Sequence, residues 1–162
     1  MCGRFFRHGV SWEEYRDSLG IIPPEGVDPP EAKYNIAPMT YSPIVRRDID
    51  TKRLEMAPCL WGLVPSWWNK PLSGLWDVAH IDGSELHTFT ILTTTPNDLM
   101  AGIHTRMPVI IHPSNYERWI DGDYRKLDDL FDPYPTDDMH AWVVDQKVGN
   151  VRNQGAELIE EV

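Results

Sequence analysis

A cysteine stands directly behind Met1 in the opening sequence MCGRF. If Met1 is removed, Cys2 carries a free α-amine beside its thiol, and these groups titrate at about 7.7–8.0 and about 8.5 in unperturbed peptides. The amine can attack an aldehyde to give an iminium, and the thiolate can then close a five-membered thiazolidine ring on the same carbon. Cys2 is therefore a candidate nucleophile, unless it is merely a small buried residue of a first strand. A retained Met1 would acylate the nitrogen and prevent ring closure.

Composition limits the protein classes that fit this chain. Its 162 residues, 41% of them hydrophobic, predict one domain with a sizeable core. The formal net charge of -10 argues against binding nucleic acid by bulk electrostatics, and part of it lies in residues 121–138, where seven aspartates predict a solvated surface segment. No apolar run is long enough to span a membrane, so we expect a cytosolic protein without a Cys2–Cys59 disulfide.

The sequence pattern predicts an α+β fold in which strands dominate the middle of the chain. A capping box of Ser11 and Glu14 begins a helix that continues through Leu19 and ends at Gly20. A second capping box, Ser114 with Glu117, begins another helix. The proline-rich residues 21–38 should form an extended loop, and the tail from 148 a loop with a short strand. The predicted strands are 42–47, 54–65, 73–79, 87–94 and 107–112.

Three further expectations concern one strand, one core residue and the acidic segment. In HTFTILTT, Phe89 and Ile91 alternate with Thr88 and Thr90, as in a half-buried strand. Trp61 is assigned to the core. The acidic segment could add one short helical turn.

Five sequence blocks occur in a characteristic order: CGRFF, YNIAP, WGLVPSWW, HTRMPVII and VGNVRNQGAELI. Together they resemble the SRAP family, named for SOS-response-associated peptidase activity, from Cys2 to Ile159. The resemblance implies a mixed, mainly antiparallel sheet or barrel-like core with flanking short helices. It also implies that an abasic site in single-stranded DNA is the partner and that Cys2 captures its ring-opened aldehyde as a thiazolidine crosslink.

The resemblance carries further expectations about activity and context. Family members are thought to remove their own leading residue, and some are credited with lyase-like activity at the same aldehyde. The chain should need no cofactor and no metal; its six histidines are scattered without zinc-ligand spacing. We expect a cytoplasmic monomer that joins the nucleoid during DNA damage, although no sequence feature decides the oligomeric state.

Matching the family's motifs assigns roles to nine residues. Cys2 is the nucleophile, and His104 would move protons at the sugar oxygen or the amine, unless it is a hydrogen-bonded loop histidine. The other seven match DNA-contacting positions: Arg4 and Arg106 for phosphates, Thr93 for the backbone near the lesion, Asn35 and Pro38 for the pocket loop, and Trp67 and Trp68 for an aromatic wedge against the exposed base.

The chain departs from the family pattern near residues 70–73. The family continues there with an asparagine-alanine-arginine block, an arginine-rich stretch and a block containing a glutamate thought to polarise the Cys2 amine. Three explanations are open: a segment omitted from the sequence, a genuine deletion that weakens or abolishes activity, or replacement of the glutamate by Asp77 or Glu85. Nothing in the sequence supports the third specifically.

Two other classes of function remain open at this point. An N-terminal cysteine is also the nucleophile of N-terminal-nucleophile amidohydrolases, although no motif here indicates their oxyanion hole. Alternatively, the chain is a DNA-binding remnant in which Cys2 has no chemical role.

Overall fold

The computed structural model describes residues 3–48, 50–62, 76–81, 83–121 and 123–162. Within them the chain forms eight strands and three α-helices, joined by loops and 3₁₀ turns. The strands are β1 (Phe5–Arg7), β2 (Lys33–Ile36), β3 (Tyr41–Arg47), β4 (Leu54–Trp61), β5 (Trp76–Ile81), β6 (Ser84–Phe89), β7 (Thr93–Thr94) and β8 (Met107–Pro108); the helices are α1 (Trp12–Leu19), α2 (Asp98–Ala101) and α3 (Tyr116–Asp121).

Helix α1 confirms the prediction from its capping signals. The Ser11 hydroxyl accepts a hydrogen bond from the Glu14 N–H at 3.2 Å, and the Glu14 carboxylate accepts one from the Ser11 N–H at 2.8 Å. Gly20 ends the helix at φ 67°, where its N–H donates to the Arg16 carbonyl. Local side-chain chemistry therefore sets both ends of α1.

The strands pair in three sheets. The largest has the order β3, β4, β6, β5 and is antiparallel except between β4 and β6, which run parallel through Leu60 opposite Thr88 and Trp61 opposite Phe89. β1 pairs with β2, and β7 pairs with β8, both antiparallel. Within the described ranges the sheets form no closed barrel, so the fold is the predicted mixed, mainly antiparallel α+β class without barrel closure.

The main core joins the first sheet to the largest one. Ile36 of β2 packs with Cys59 and Trp61 of β4 and with Phe89 of β6. The Phe5 ring of β1 meets Trp61 edge to face at a centroid distance of 5.0 Å. Trp61 is 5% exposed, which confirms its assignment to the core. This packing fixes the N-terminal strand against the end of β6, from which the chain continues to β7.

One strand forms where a loop was predicted, and two predicted strands differ from the observed ones. Residues 33–36, expected in a loop, form β2 because β1 supplies a hydrogen-bonding partner. Strand 107–112 is reduced to Met107 and Pro108, which pair with β7. The segment 87–94 is split between β6 and β7, and Thr88 is only 4% exposed because both faces at this end of β6 are covered.

The second helix and the acidic segment also differ from expectation. A 3₁₀ turn at Pro113–Asn115 precedes α3, and His112 caps it, so Ser114 is not an N-cap. The acidic segment contains three 3₁₀ turns, at Tyr124–Lys126, Asp128–Phe131 and Thr136–Asp138. It is not merely solvated, because Leu127 and Leu130 are buried.

The C-terminal tail folds back rather than forming a continuous strand. It carries 3₁₀ turns at Gln146–Gly149 and Ala156–Ile159 and a single bridge between Val144 and Glu161. Leu158 is fully buried, so the tail belongs to the core. In the part of the chain that the structure describes, no helix is long and apolar enough to cross a membrane.

Candidate functional site

The β7–β8 pair gathers three of the predicted site residues. Thr93 lies in β7 opposite Pro108, and His104 and Arg106 lie in the loop that leads into β8. The Met100 carbonyl accepts hydrogen bonds from the N–H groups of Ile103 and His104 at 2.9 and 2.8 Å, so the C-terminus of α2 fixes the start of this loop. The β7–β8 pair and the loop before β8 therefore present a partly buried hydroxyl, an imidazole and a guanidinium.

The backbone of Arg106 holds the imidazole of His104. The Arg106 N–H donates to Nδ1 of His104 at 3.0 Å, and the Arg106 carbonyl lies 3.1 Å from the same nitrogen. An Nδ1 without hydrogen accepts from the N–H, whereas an Nδ1 that carries hydrogen donates to the carbonyl. The Arg106 backbone thus offers a hydrogen-bond partner to either form of Nδ1. Because His104 is exposed, Nε2 is available to a reacting group.

Arg4 and Asn35 contact the C-terminal tail rather than the β7–β8 loop. Nη2 of Arg4 donates to the Gly149 carbonyl at 3.3 Å, and Nη1 donates to the Gly3 carbonyl at 2.6 Å. Asn35 is 2% exposed, and its Nδ2 lies 3.0–3.1 Å from the carbonyls of Val148, Asn150 and Asn153. The block VGNVRNQG is therefore tied to the N-terminal strand pair.

The side chains of the tail block complete this arrangement, and sequence reasoning gave them no role. Gln154 donates to the Asn35 carbonyl at 3.0 Å, and Asn153 donates to the Lys147 carbonyl at 2.9 Å. The signal in the sequence was the run of amide side chains in GNVRNQ, since an amide group can donate hydrogen bonds to loop carbonyls. Asn35 Oδ1 has no hydrogen-bond partner within the described residues.

A largely apolar cavity of about 280 Å³ lies beside Arg4. Its lining includes Phe6, Tyr34, His140 and Trp142. The Trp142 indole N–H donates to the Ile159 carbonyl at 2.8 Å, which fixes this ring. The tail thus closes one wall of a cavity next to a predicted phosphate contact.

The main core connects the two groups of predicted residues. Ile36, the neighbour of Asn35, packs with Phe89, and the partly buried Ile91 lies against the same cluster two residues before Thr93. Pro38, also predicted for the pocket loop, is exposed in the turn after β2. The first sheet and the β7–β8 pair are therefore positioned by one rigid core.

Three predicted residues cannot be placed in this geometry. Cys2, Trp67 and Trp68 lie outside the described residues.

The environment of Cys59 does not favour a reactive thiol. Cys59 is 0% exposed, and burial raises its pKa.

The two carboxylates considered as replacements for the family glutamate lie in the β5–β6 pair. Asp77 Oδ1 accepts a hydrogen bond from the N–H of Val78 at 2.8 Å. The Glu85 carboxylate contacts Nε2 of His80 at 3.4 Å and Nε2 of His87 at 3.5 Å. Each carboxylate thus has contacts within its own strand pair.

The sequence profile of the SOS response associated peptidase (SRAP) family matches residues 1–73 and 70–151. The chain belongs to the SRAP family. The two matched segments of the SRAP profile overlap at residues 70–73, where the sequence analysis predicts a departure from the family pattern. That an internal block is missing there stays a prediction.

Curated relatives within the SRAP family carry a common functional name. The chain is 42% identical over 98 residues to the abasic site processing protein YoqW of Bacillus subtilis strain 168, covering 57% of this chain and 38% of the relative. It is 41% identical over 83 residues to YoaM of the same strain, covering 48% and 36%. It is 25% identical over 226 residues to YedK of Escherichia coli strain K12, with both chains covered completely. The chain thus spans under two fifths of the length of the Bacillus relatives.

Proposed function

We propose that this protein processes abasic sites in single-stranded DNA by forming a covalent crosslink through Cys2. The observation that carries the proposal is membership of the SRAP family together with relatives named abasic site processing proteins. The β7–β8 loop supports it, because His104 and Arg106 offer a proton-transfer group and a phosphate-binding group within three residues.

The chemistry requires only an aldehyde and the 1,2-aminothiol that Cys2 would carry after removal of Met1. The amine adds to C1′ of the ring-opened sugar, and the carbinolamine loses one water to give an iminium. The sulfur then bonds to the same carbon and gives up its proton, so the thiazolidine equals protein plus DNA minus one water. Removal of Met1 by the protein itself is the peptidase step of this proposal.

His104 is the proton-transfer group in this scheme. Dehydration of the carbinolamine needs a proton on the departing hydroxyl, and amine attack needs a proton removed. Because the Arg106 carbonyl can accept from an Nδ1–H, the tautomer with hydrogen on Nδ1 leaves Nε2 free to take a proton, and the resulting imidazolium can give that proton back. Arg106 would hold a phosphate beside it, and Arg4 would do the same at the N-terminal strand.

A lyase-like step follows from the same iminium. The positive nitrogen acidifies the neighbouring C2′ hydrogen, so a base can remove this proton while the 3′ phosphate leaves. Ring closure by sulfur competes with this elimination because it consumes the iminium. Cys2→Ser should therefore shift products from stable crosslink towards strand cleavage.

A denaturing gel tests the proposal. The protein is incubated with a labelled single-stranded oligonucleotide that carries one abasic site, and with the same oligonucleotide carrying thymine there. The expected result is a heat-stable band of reduced mobility with the abasic strand alone, absent with Cys2→Ala. A catalytically impaired remnant would bind both strands without forming the band.

A further inference from the structure

Met39 combines two features that rarely occur together. Its side chain is 69% exposed, and its backbone adopts φ 65°, in the left-handed region. A non-glycine residue in this region costs free energy of folding because its Cβ crowds the following carbonyl. An exposed methionine gains little burial in return. The structure thus keeps an unfavourable residue at a site where it contributes little to the core.

The turn around Met39 requires this backbone conformation. Pro38 occupies the second position of the turn from Ala37 to Thr40, and Met39 occupies the third. A turn with proline second and a positive φ third ordinarily carries glycine or asparagine at that third position. Glycine would therefore suit the backbone at position 39 better than methionine does.

Two hydrogen bonds hold the turn against the end of β4, and a third closes the turn itself. The Met39 N–H donates to the Trp61 carbonyl at 2.7 Å, and the Trp61 N–H donates to the Thr40 carbonyl at 2.9 Å. The Thr40 hydroxyl donates to the Ala37 carbonyl at 2.7 Å. Because Trp61 is a core residue, the backbone of Met39 is fixed and its side chain projects from a rigid base.

The thioether lies over Gly62. A Cβ added to Gly62 would be 3.2 Å from Met39 Sδ, so glycine leaves room for the sulfur. The Gly62 N–H donates to the Phe89 carbonyl at 3.0 Å, and Phe89 stands four residues before Thr93. Met39 is therefore an exposed apolar group at the end of β4, which is hydrogen-bonded through Gly62 to the end of β6, the strand that leads to the β7–β8 pair. Met39 also directly follows Pro38, a predicted DNA contact.

We propose that Met39 is a DNA-contacting residue that packs its thioether against the nucleobase next to the abasic site. This inference rests on the proposed function. Loss of one base exposes the apolar face of its neighbour to water, and a polarisable methionine covers such an aromatic face well. The contact would strengthen binding to damaged DNA more than to an intact strand, whose bases stack on one another.

The test compares Met39→Gly and Met39→Leu in the full chain. Both are made in a Cys2→Ala background so that only reversible binding is measured, by fluorescence anisotropy with abasic and thymine-containing single strands. Thermal unfolding is recorded alongside. Met39→Gly should unfold at the same or a higher temperature, because glycine accepts the positive φ. It should bind the abasic strand about two- to tenfold more weakly, with little change for the thymine strand. Met39→Leu should retain most of the preference.

Each other outcome overturns the inference in a distinguishable way. If the parent protein does not prefer the abasic strand, the proposed function fails and the Met39 contact fails with it. If the parent prefers the abasic strand and Met39→Gly keeps this preference, the Met39 contact alone is wrong. Equal weakening for both strands would make Met39 a general contact without a role at the lesion.

Discussion

The side-chain amide of Asn35 donates a hydrogen bond to the carbonyl of Asn150 at 3.0 Å, across 115 positions of the chain. The same nitrogen faces the carbonyls of Val148 and Asn153 at 3.1 Å each. One buried side chain on β2 therefore satisfies the backbone of the tail block that also binds Arg4. Without this donor, the partly buried carbonyls of Val148 and Asn153 would lose a hydrogen bond.

Asn35→Ala should lower the free energy of unfolding by about 1–3 kcal/mol, because partly buried carbonyls of the tail lose a donor. Asn35→Asp should cost more, since carboxylate oxygens would then face carbonyl oxygens. Urea unfolding measures both changes, and hydrogen exchange at the Asn153 N–H, which donates to the Asn150 carbonyl, reports opening of the tail. Gln154→Ala is the milder control. An Asn35→Ala protein as stable as the parent would show that the tail does not depend on this contact.

The ion pair between Arg47 of β3 and Asp121 of α3 should make stability depend on pH. Hydrogen bonds from the Arg47 guanidinium hold the pKa of Asp121 below its usual value. The stabilisation is therefore complete above the unfolded pKa of about 3.9 and is lost as pH falls through the lower folded pKa.

Asp121→Asn should accordingly reduce the free energy of unfolding at pH 7, and its difference from the parent should shrink as pH falls below about 4. Urea titrations between pH 7 and pH 3 measure this difference. Asp28→Asn, at an exposed loop position, controls for the change in net charge. A difference that stays constant down to pH 3 would contradict the pairing.

Cys59 should resist thiol reagents in the folded protein. Its side chain is fully buried, and burial raises its pKa, so the reactive thiolate is scarce and shielded. Iodoacetamide should modify Cys59 more than about 10²-fold more slowly in the native protein than in guanidinium chloride, because reaction requires opening of the core. Peptide mapping measures the modification of each cysteine. Rapid native labelling of Cys59 in a Cys2→Ala variant would contradict the burial.

His104→Ala should slow crosslinking without affecting folding. Loss of a proton-transfer group typically costs about 10²-fold or more in rate, while an exposed substitution changes stability by about 0.5 kcal/mol or less. His112→Ala is a matched control, because Nδ1 of His112 also accepts from the N–H two residues later, at 3.3 Å. Single-turnover crosslinking on denaturing gels measures the rates. Equal slowing by both variants would remove the specific role of His104.

Local chemistry made part of the fold predictable. The capping box of Ser11 and Glu14 and the glycine at position 20 defined α1, and the hydrophobic pattern located β3 and the core residue Trp61. The errors lie where distant contacts decide. Residues 33–36 become a strand through pairing with β1, and Thr88 is buried because both faces of β6 are covered at that end.

The candidate site was predictable to a similar extent. Motif matching selected Thr93, His104 and Arg106, which the β7–β8 pair brings together. It did not find the contact between Asn35 and the tail block, since that contact joins residues more than 110 positions apart. The conformation of Met39 was also hidden, because its positive φ follows from the hydrogen bonds that tie its turn to β4.

Intact mass spectrometry tests the central claim most directly. The purified protein is measured alone and after incubation with a single-stranded oligonucleotide carrying one abasic site, with Cys2→Ala in parallel. The mass of the free protein establishes whether Met1 is present. Crosslinking through Cys2 predicts an adduct equal to protein plus DNA minus one water, absent from the Cys2→Ala sample. No adduct from a chain that runs from Cys2 to Val162, with Met1 removed, would contradict the account.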